Sequence, residues 1–218
     1  VTPAKNLHDV IRIIDELSAR AIAEGDRTGY FTALYRHVAV KFAWAIADGE
    51  FADAAHMEGL DVVFFNRYLA ALDAFKAGRS CSRCWEAAFR AAERAEPTVL
   101  QHLLLGMNAH INFDLGIAVA DSVPAAGLPA FRADFDKMNA LLASLLSGVM
   151  TDLTKVWPLL RVLNRIAGRA EDVFVDFSMD AAREIAWSHA VRLDSVGPRG
   201  RDAEIRSMDL FVTDIAAG

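Results

Sequence analysis

Leu7, Val10, Ile11, Ile14, Leu17 and Ala21 recur at three- and four-residue steps along Lys5–Glu24. That is the spacing of one apolar helix face. Gly25 ends this helix, and Asp26 or Thr28 caps a second that runs to about Ala47, with Phe31, Leu34, Val38, Phe42, Ala45 and Ile46 inward. Asp48-Gly49 breaks the pattern. A third helix is expected over Phe51–Ala77, a loop over Gly78–Ser82 and a short fourth helix over Cys84–Ala95. Pro97 then opens a central helix at its first turn, where a missing N–H costs nothing. After a loop at Asp121–Leu128, Pro129 starts a sixth helix that reaches about Met150. Trp157-Pro158 marks a kink or a new start, and the next helix ends at Gly168. Glu171–Leu193 reads as mostly helical, although Val173–Phe177 is rich in β-favouring residues. Asp194–Arg201, DSVGPRGR, reads as a loop before a last helix over Asp202–Ala216. Eight or nine helices without a convincing strand pattern predict an all-α, single-domain bundle spanning residues 1–218, built around the central helix, residues 97–119.

The central helix departs from a simple apolar pattern. In Gln101–Gly116, QHLLLGMNAHINFDLG, the residues Leu103, Leu104, Leu105, Met107, Ile111, Phe113 and Leu115 leave no solvated face. His102, Asn108, His110, Asn112 and Asp114 nevertheless sit among them. A buried polar group without a partner costs roughly 1–3 kcal/mol, so each needs a partner or a task. At about 100° per residue, Gln101, Asn108 and Asn112 share one side, and His102, His110 and Asp114 the other. His110 and Asp114 are i and i+4, one above the other. An Asp beside an imidazole fixes its tautomer and raises its basicity, which suits a general base. Asn108 and Asn112 form an amide pair suited to holding a ligand or clamping a neighbouring helix. His102 lies about 12 Å along the axis from His110, too far for both to bind one metal ion. Gly106 inside a helix suggests close approach by another helix or a ligand.

HLLLGMNAHINFDLG resembles the hallmark of a bacterial family of unknown function, which carries a similar H-x-L-L-x-x-N-A-H-I-N-x-D-L signature. The likeness extends upstream over DRTGYFTALY and FADAAHMEGLDVVFFNRYLAAL. The resemblance implies no established reaction. The bare His-x-x-x-Asp of His110 and Asp114 also resembles a fragment of the all-helical zinc phospholipase C and P1 nuclease group, over those two residues only.

The third helix repeats the oddity on a smaller scale. LDVVFFNRYLAAL places Asp61 in an apolar run, on a stripe with Glu58, Phe65, Tyr68 and Leu72, while Asn66 and Arg67 lie on another face. Asp61 is expected either in an ion pair with Arg27 or Arg67, or beside His110 as acid, base or ligand. Further on, AREIAWSHAVRL carries His189, a candidate to complete a metal site from a neighbouring helix or simply a surface histidine. Tyr30 and Tyr35 are core aromatics or donors to a pocket. Cys81 and Cys84 form the one C-x-x-C, without a second pair for zinc or a βαβ context for redox chemistry, so two reduced thiols at a helix start are expected.

Composition narrows the classes. A net charge of -6 and the absence of a basic run disfavour nucleic acid. No uninterrupted apolar run reaches the roughly 20 residues of a membrane span. A mean hydropathy of +0.21 marks an all-helical core, a dimer face or an apolar pocket. The start, VTPAKNLHDV, shows no basic segment followed by an apolar one, so no signal peptide and a cytoplasmic location are expected. No G-x-S-x-G, P-loop, dinucleotide fingerprint or H-E-x-x-H occurs.

Three functions remain. The first is a cofactor-independent enzyme acting on a small apolar molecule by isomerisation, cyclisation or elimination. Its catalytic set would be His110, Asp114 and Asp61, with Asn108, Asn112 and His102 on the substrate. The second is a hydrolase using zinc or another divalent metal, with His110, Asp114, Glu58 and Asp61 as ligands. The third is a non-catalytic helical binding module.

Overall fold

The long apolar helix expected at the centre forms over Val99–Ser122 and is the fifth helix, α5; 83% of its most apolar window is buried. By length and composition it is the one helix among the described residues able to cross a membrane, but here the rest of the chain covers it. The computed structural model describes residues 2–123, 127–156 and 179–217. Around α5 lie α1 (Leu7–Glu24), α2 (Gly29–Ala47), α3 (Ala54–Lys76), α4 (Arg83–Ala92), α6 (Leu128–Val156) and α7 (Met179–Ala217). The class is all-α, with seven helices and no strand among the described residues.

The count falls short of eight or nine for identifiable reasons. The helix expected to end at Gly168, the break at Trp157-Pro158 and the β-favouring Val173–Phe177 lie outside the described residues. The loop expected over Asp194–Arg201 is instead a kink inside α7. Only Gly197 leaves helical geometry there (φ 61, ψ -176), just before Pro198. A single glycine absorbs the turn that proline requires of its predecessor, so the backbone resumes its helix at once.

Local chemistry sets the other boundaries. Asn6 caps α1 by accepting from the Asp9 N–H, and Gly25 closes it in the left-handed conformation. α5 starts two residues later than its proline suggested. Thr98 is the cap and forms a reciprocal capping box with Gln101. Gln101 is therefore exposed at the helix start and does not join Asn108 and Asn112.

The middle of α5 is not α-helical. Asn108–Asp114 winds as a π-helix, in which the Leu115 N–H reaches the His110 carbonyl five residues back. The helix is continuous, as its pattern required, but the wider turn rearranges the side chains that carry its polar groups. π-turns are uncommon and concentrate at functional sites. Every residue from Gly106 to Val119 is buried. α7 packs along α5, α1 against α2, and α3 and α4 flank the π segment.

Glycines permit the closest approaches. A Cβ on Gly106 would stand 2.5 Å from Phe31 Cδ2 of α2, and one on Gly116 2.6 Å from the Ala186 carbonyl of α7. The close approach read from Gly106 is therefore to a neighbouring helix. Long-range polar bonds pin the ends. Asn66 of α3 holds both the N–H and the carbonyl of Ala4 (2.8 and 2.9 Å). Glu58 accepts from the Leu7 N–H at 3.2 Å. Asp134 of α6 accepts from the N–H groups of Ala52 and Asp53.

Candidate functional site

The π segment delivers its polar side chains to two opposite neighbours. Toward α7, Asn108 Nδ2 donates to the Val212 carbonyl at 2.9 Å, and Asn112 Nδ2 donates to Asn108 Oδ1 at 2.7 Å. His189 of α7 returns a bond, Nδ1 to the Asn112 carbonyl at 3.1 Å. The amide pair thus clamps a sister helix.

Toward α3 and α4 the segment presents His110 and Asp114. Asp114 is only 1% exposed, and both of its oxygens are used. Oδ1 accepts from Arg67 Nε of α3 at 2.9 Å, and Oδ2 from Trp85 Nε1 of α4 at 2.7 Å. His110 Nδ1 approaches Oδ2 as well, at 3.4 Å. Three donors from three helices therefore converge on one carboxylate. A charged acceptor in a poorly solvated place strengthens each of these bonds.

His110 itself sits in an aromatic box. Its ring stacks on Phe64, with centroids 3.5 Å apart and planes 7° from parallel. Tyr35 meets it edge-on at 4.8 Å and Phe31 at 5.7 Å. Burial lowers the imidazole pKa against the opposing pull of Asp114, so the ring is neutral near pH 7. With Nδ1 carrying the proton toward Asp114, Nε2 is a bare acceptor, and it has no hydrogen-bond partner.

Two more buried polar atoms on this side lack partners, Tyr35 Oη and Asp61 Oδ2. Asp61 precedes Phe64 by three residues on α3, so it lies one turn from the ring stacked on His110. Burial, with the charge of Glu58 behind it, pushes the Asp61 carboxyl up to about 7. Burial and then the charges of Asp61 and Asp114 hold the Tyr35 hydroxyl well above its usual value. No ion pair joins Asp61 to Arg27 or Arg67; Arg67 is taken by Asp114, and Arg27 reaches the Ala92 carbonyl.

A cavity of about 640 Å³ opens on the far side of Asp114, between α3, α4, the π segment and α7. Asp114, Arg67, Trp85 and Phe113 form its inner end, and Cys81, Arg206 and Asp209 stand toward its rim. His110 does not line it; Asp114 and Trp85 stand between. His102 lies at the other end of the box, 5.6 Å from Tyr30, its pKa lowered by burial and by Arg27. Asp61, Asn108, Asn112 and His102 likewise stay off the cavity wall.

For the metal alternative, no group of three or more His, Cys, Asp or Glu side chains is placed to hold an ion among the described residues. His110 and Asp114 face each other, and Glu58 is committed to Leu7. Cys81 and Cys84 are free thiols. Burial raises the pKa of both, which keeps them protonated and poor nucleophiles.

Sequence reasoning offered Arg67 to Asp61 and not to Asp114, and passed over Trp85. Both left a signal. A lone arginine within VVFFNRYLAAL must find an anion, and a tryptophan beside a buried cysteine must find an acceptor for its N–H.

No curated protein and no solved structure matches the chain. A family profile matches residues 7–218, nearly the whole chain, and the protein therefore belongs to DUF5995, a family of unknown function.

Proposed function

We propose that the protein binds a small, largely apolar molecule in the cavity beside Asp114. The observation that carries this reading is the cavity's size and composition. Its volume of about 640 Å³ falls within the roughly 300–1,000 Å³ typical of ligand sites. Val63, Ala70, Ala71, Ala74, Phe113 and Ile205 give it an apolar wall, with Arg67 and Asp114 at its inner end and Arg206 and Asp209 toward its rim. The Asp114 network would then serve as the rigid floor of a binding site, with Arg67 locked in place by a carboxylate that water does not reach.

A second reading is acid–base catalysis by His110, supported by its unpartnered Nε2 and by the π-turn that carries it. Here the substrate would enter the aromatic box, where the neutral imidazole accepts a proton while Asp114 stabilises the imidazolium. Asp61, protonated below about pH 7, would be the proton donor. Isomerisation, cyclisation or elimination would suit this pair.

One NMR experiment separates the two. Small apolar compounds titrated into labelled protein should shift the Trp85 indole N–H, with the His110 ring nitrogens unmoved, if the cavity is the site. Shifts at the His110 nitrogens with Trp85 silent would instead favour the catalytic reading. Silence at both positions would defeat both.

A further inference from the structure

The polar groups at the inner end and rim of the cavity divide into those already spent within the protein and those still free. Both acids are spent. Asp114 accepts from Arg67, Trp85 and His110. Asp209 of α7 accepts from the N–H groups of Arg83 and Cys84 at 2.8 and 3.0 Å, capping α4. Asn66 is spent on Ala4 and the Trp85 N–H on Asp114. The two guanidinium groups are not. Arg67 uses only Nε toward Asp114, and its ring-face contact with Phe113, 5.7 Å from guanidinium carbon to centroid, fixes the plane. Its outer edge, Nη1 and Nη2, has no partner among the described residues. Arg206, exposed at the rim, makes no ion pair among them either.

From this we infer that the cavity's ligand is a small organic carboxylate. Its acid group meets the outer edge of Arg67, drawn in by the charge of Arg206 at the rim, and its apolar body lies along Ala70, Ala71 and Ile205. A guanidinium whose Nε is occupied still offers two parallel N–H donors at its end, the spacing a carboxylate accepts. Asp114 orients that fork and holds it against the entropy of a free arginine side chain. A phosphate fits less well. The backbone N–H groups at the start of α4, which would otherwise cradle one, are already given to Asp209.

This inference rests on the cavity being the ligand site, and the test keeps the two apart. Octanoate and 1-octanol share an apolar body and differ in the head. Each is titrated into the full chain by calorimetry, with the Trp85 indole N–H followed by NMR. Octanoate is expected to bind about tenfold or more tightly than 1-octanol, the ratio a charged hydrogen-bonded head supplies. Arg206→Gln and Arg67→Lys should each weaken octanoate several-fold and weaken 1-octanol by less. Arg67→Lys keeps a cation opposite Asp114, so the fold survives while the fork is lost. If both compounds shift Trp85 and bind equally, or if octanoate ignores both variants, the carboxylate inference is overturned and the cavity reading stands. If neither compound shifts Trp85 at millimolar concentration, the cavity reading falls and this inference with it.

Discussion

Asp114 and Asp61 are both buried carboxylates beside the same aromatic box, and the fold treats them in opposite ways. Asp114 collects a guanidinium, an indole and an imidazole from three helices. Asp61 leaves an oxygen with no partner and holds its proton up to about pH 7. One is a fixed negative charge that organises donors around it. The other is a neutral acid below pH 7, with a hydrogen to donate. Burial of an acid therefore carries no single meaning here; what decides is whether donors from other helices reach it. The satisfied carboxylate faces the cavity, and the unsatisfied one faces the closed interior. Binding and proton chemistry, if the protein does both, are thus divided between two faces of the same layer.

The largest effect should come from removing the satisfied acid. Asp114→Ala strands the Trp85 and His110 N–H groups and leaves Arg67 without its counterion. Breaking a buried pair costs roughly 3–5 kcal/mol. Arg67 is partly exposed and can be hydrated again, so about 3 kcal/mol is expected. For a chain of this size that lowers the melting temperature by about 6–12 °C. A fall of only a degree or two in calorimetry would mean the network is peripheral to the fold.

Asp61 should respond in the opposite sense. Its folded form keeps a proton that the unfolded chain releases near pH 4. The native state therefore binds more protons between pH 4 and about 7, and stability declines as pH rises through that window. Between pH 5 and 8 the loss is roughly 2–3 kcal/mol. Asp61→Asn cannot ionise, so its stability in urea should be flatter with pH and exceed the wild type's at pH 8. Identical pH profiles for the two proteins would show that Asp61 has a partner in solution.

His110 joins the two carboxylates' surroundings, and its titration runs the other way from that of Asp61. Burial depresses its pKa, so its contribution is present above the unfolded value near 6.5 and is lost as pH falls below it. His110→Phe keeps the stack on Phe64 and gives up the bond to Asp114. A loss of about 1 kcal/mol at pH 7 is expected, together with a shallower decline below pH 6.5. His102 and His189 are depressed in the same direction, so the decline should soften rather than vanish. An unaltered acid limb would assign it wholly to those two histidines.

The sequence carried the local half of this arrangement. The i,i+4 pairs His110–Asp114 and Asn108–Asn112 form because neighbours on a helix meet whatever surrounds them, and the π-turn does not separate them. The burial of α5 followed from its apolar pattern. Neither the π-turn nor the partners from other helices could be read, because both depend on how helices far apart in the chain are packed. Arg67 could have matched Asp61, six residues away, as well as Asp114, 47 residues away. Spacing alone favours the nearer acid. The kink at Gly197 shows the same limit. DSVGPRGR has the composition of a loop, yet one glycine at positive φ suffices, and the chain is helical on both sides.

The smallest effect tests how tightly the unsatisfied face is packed. Gly106→Ala gains up to about 1 kcal/mol of helix propensity. Against this, the new methyl would stand 2.5 Å from Phe31 Cδ2 and 2.7 Å from Cγ. These atoms sit near the root of the side chain and cannot swing clear as a ring tip could. Phe31 also packs edge-on against Tyr68, Trp85 and His110, so its displacement is passed into the box. Overpacking a filled core costs roughly 1–3 kcal/mol. The cost outweighs the gain, and a net destabilisation of about 1 kcal/mol is expected in urea denaturation. Because Phe31 touches Tyr35, Trp85 and His110 and not Arg67, the aromatic signals of those three residues should shift while the Arg67 Nε–H, held by Asp114, moves least. A neutral or stabilising Gly106→Ala would mean the box has slack. Tyr35, Asp61 and His110 would then have room to find partners, and the contrast between the two carboxylates would narrow.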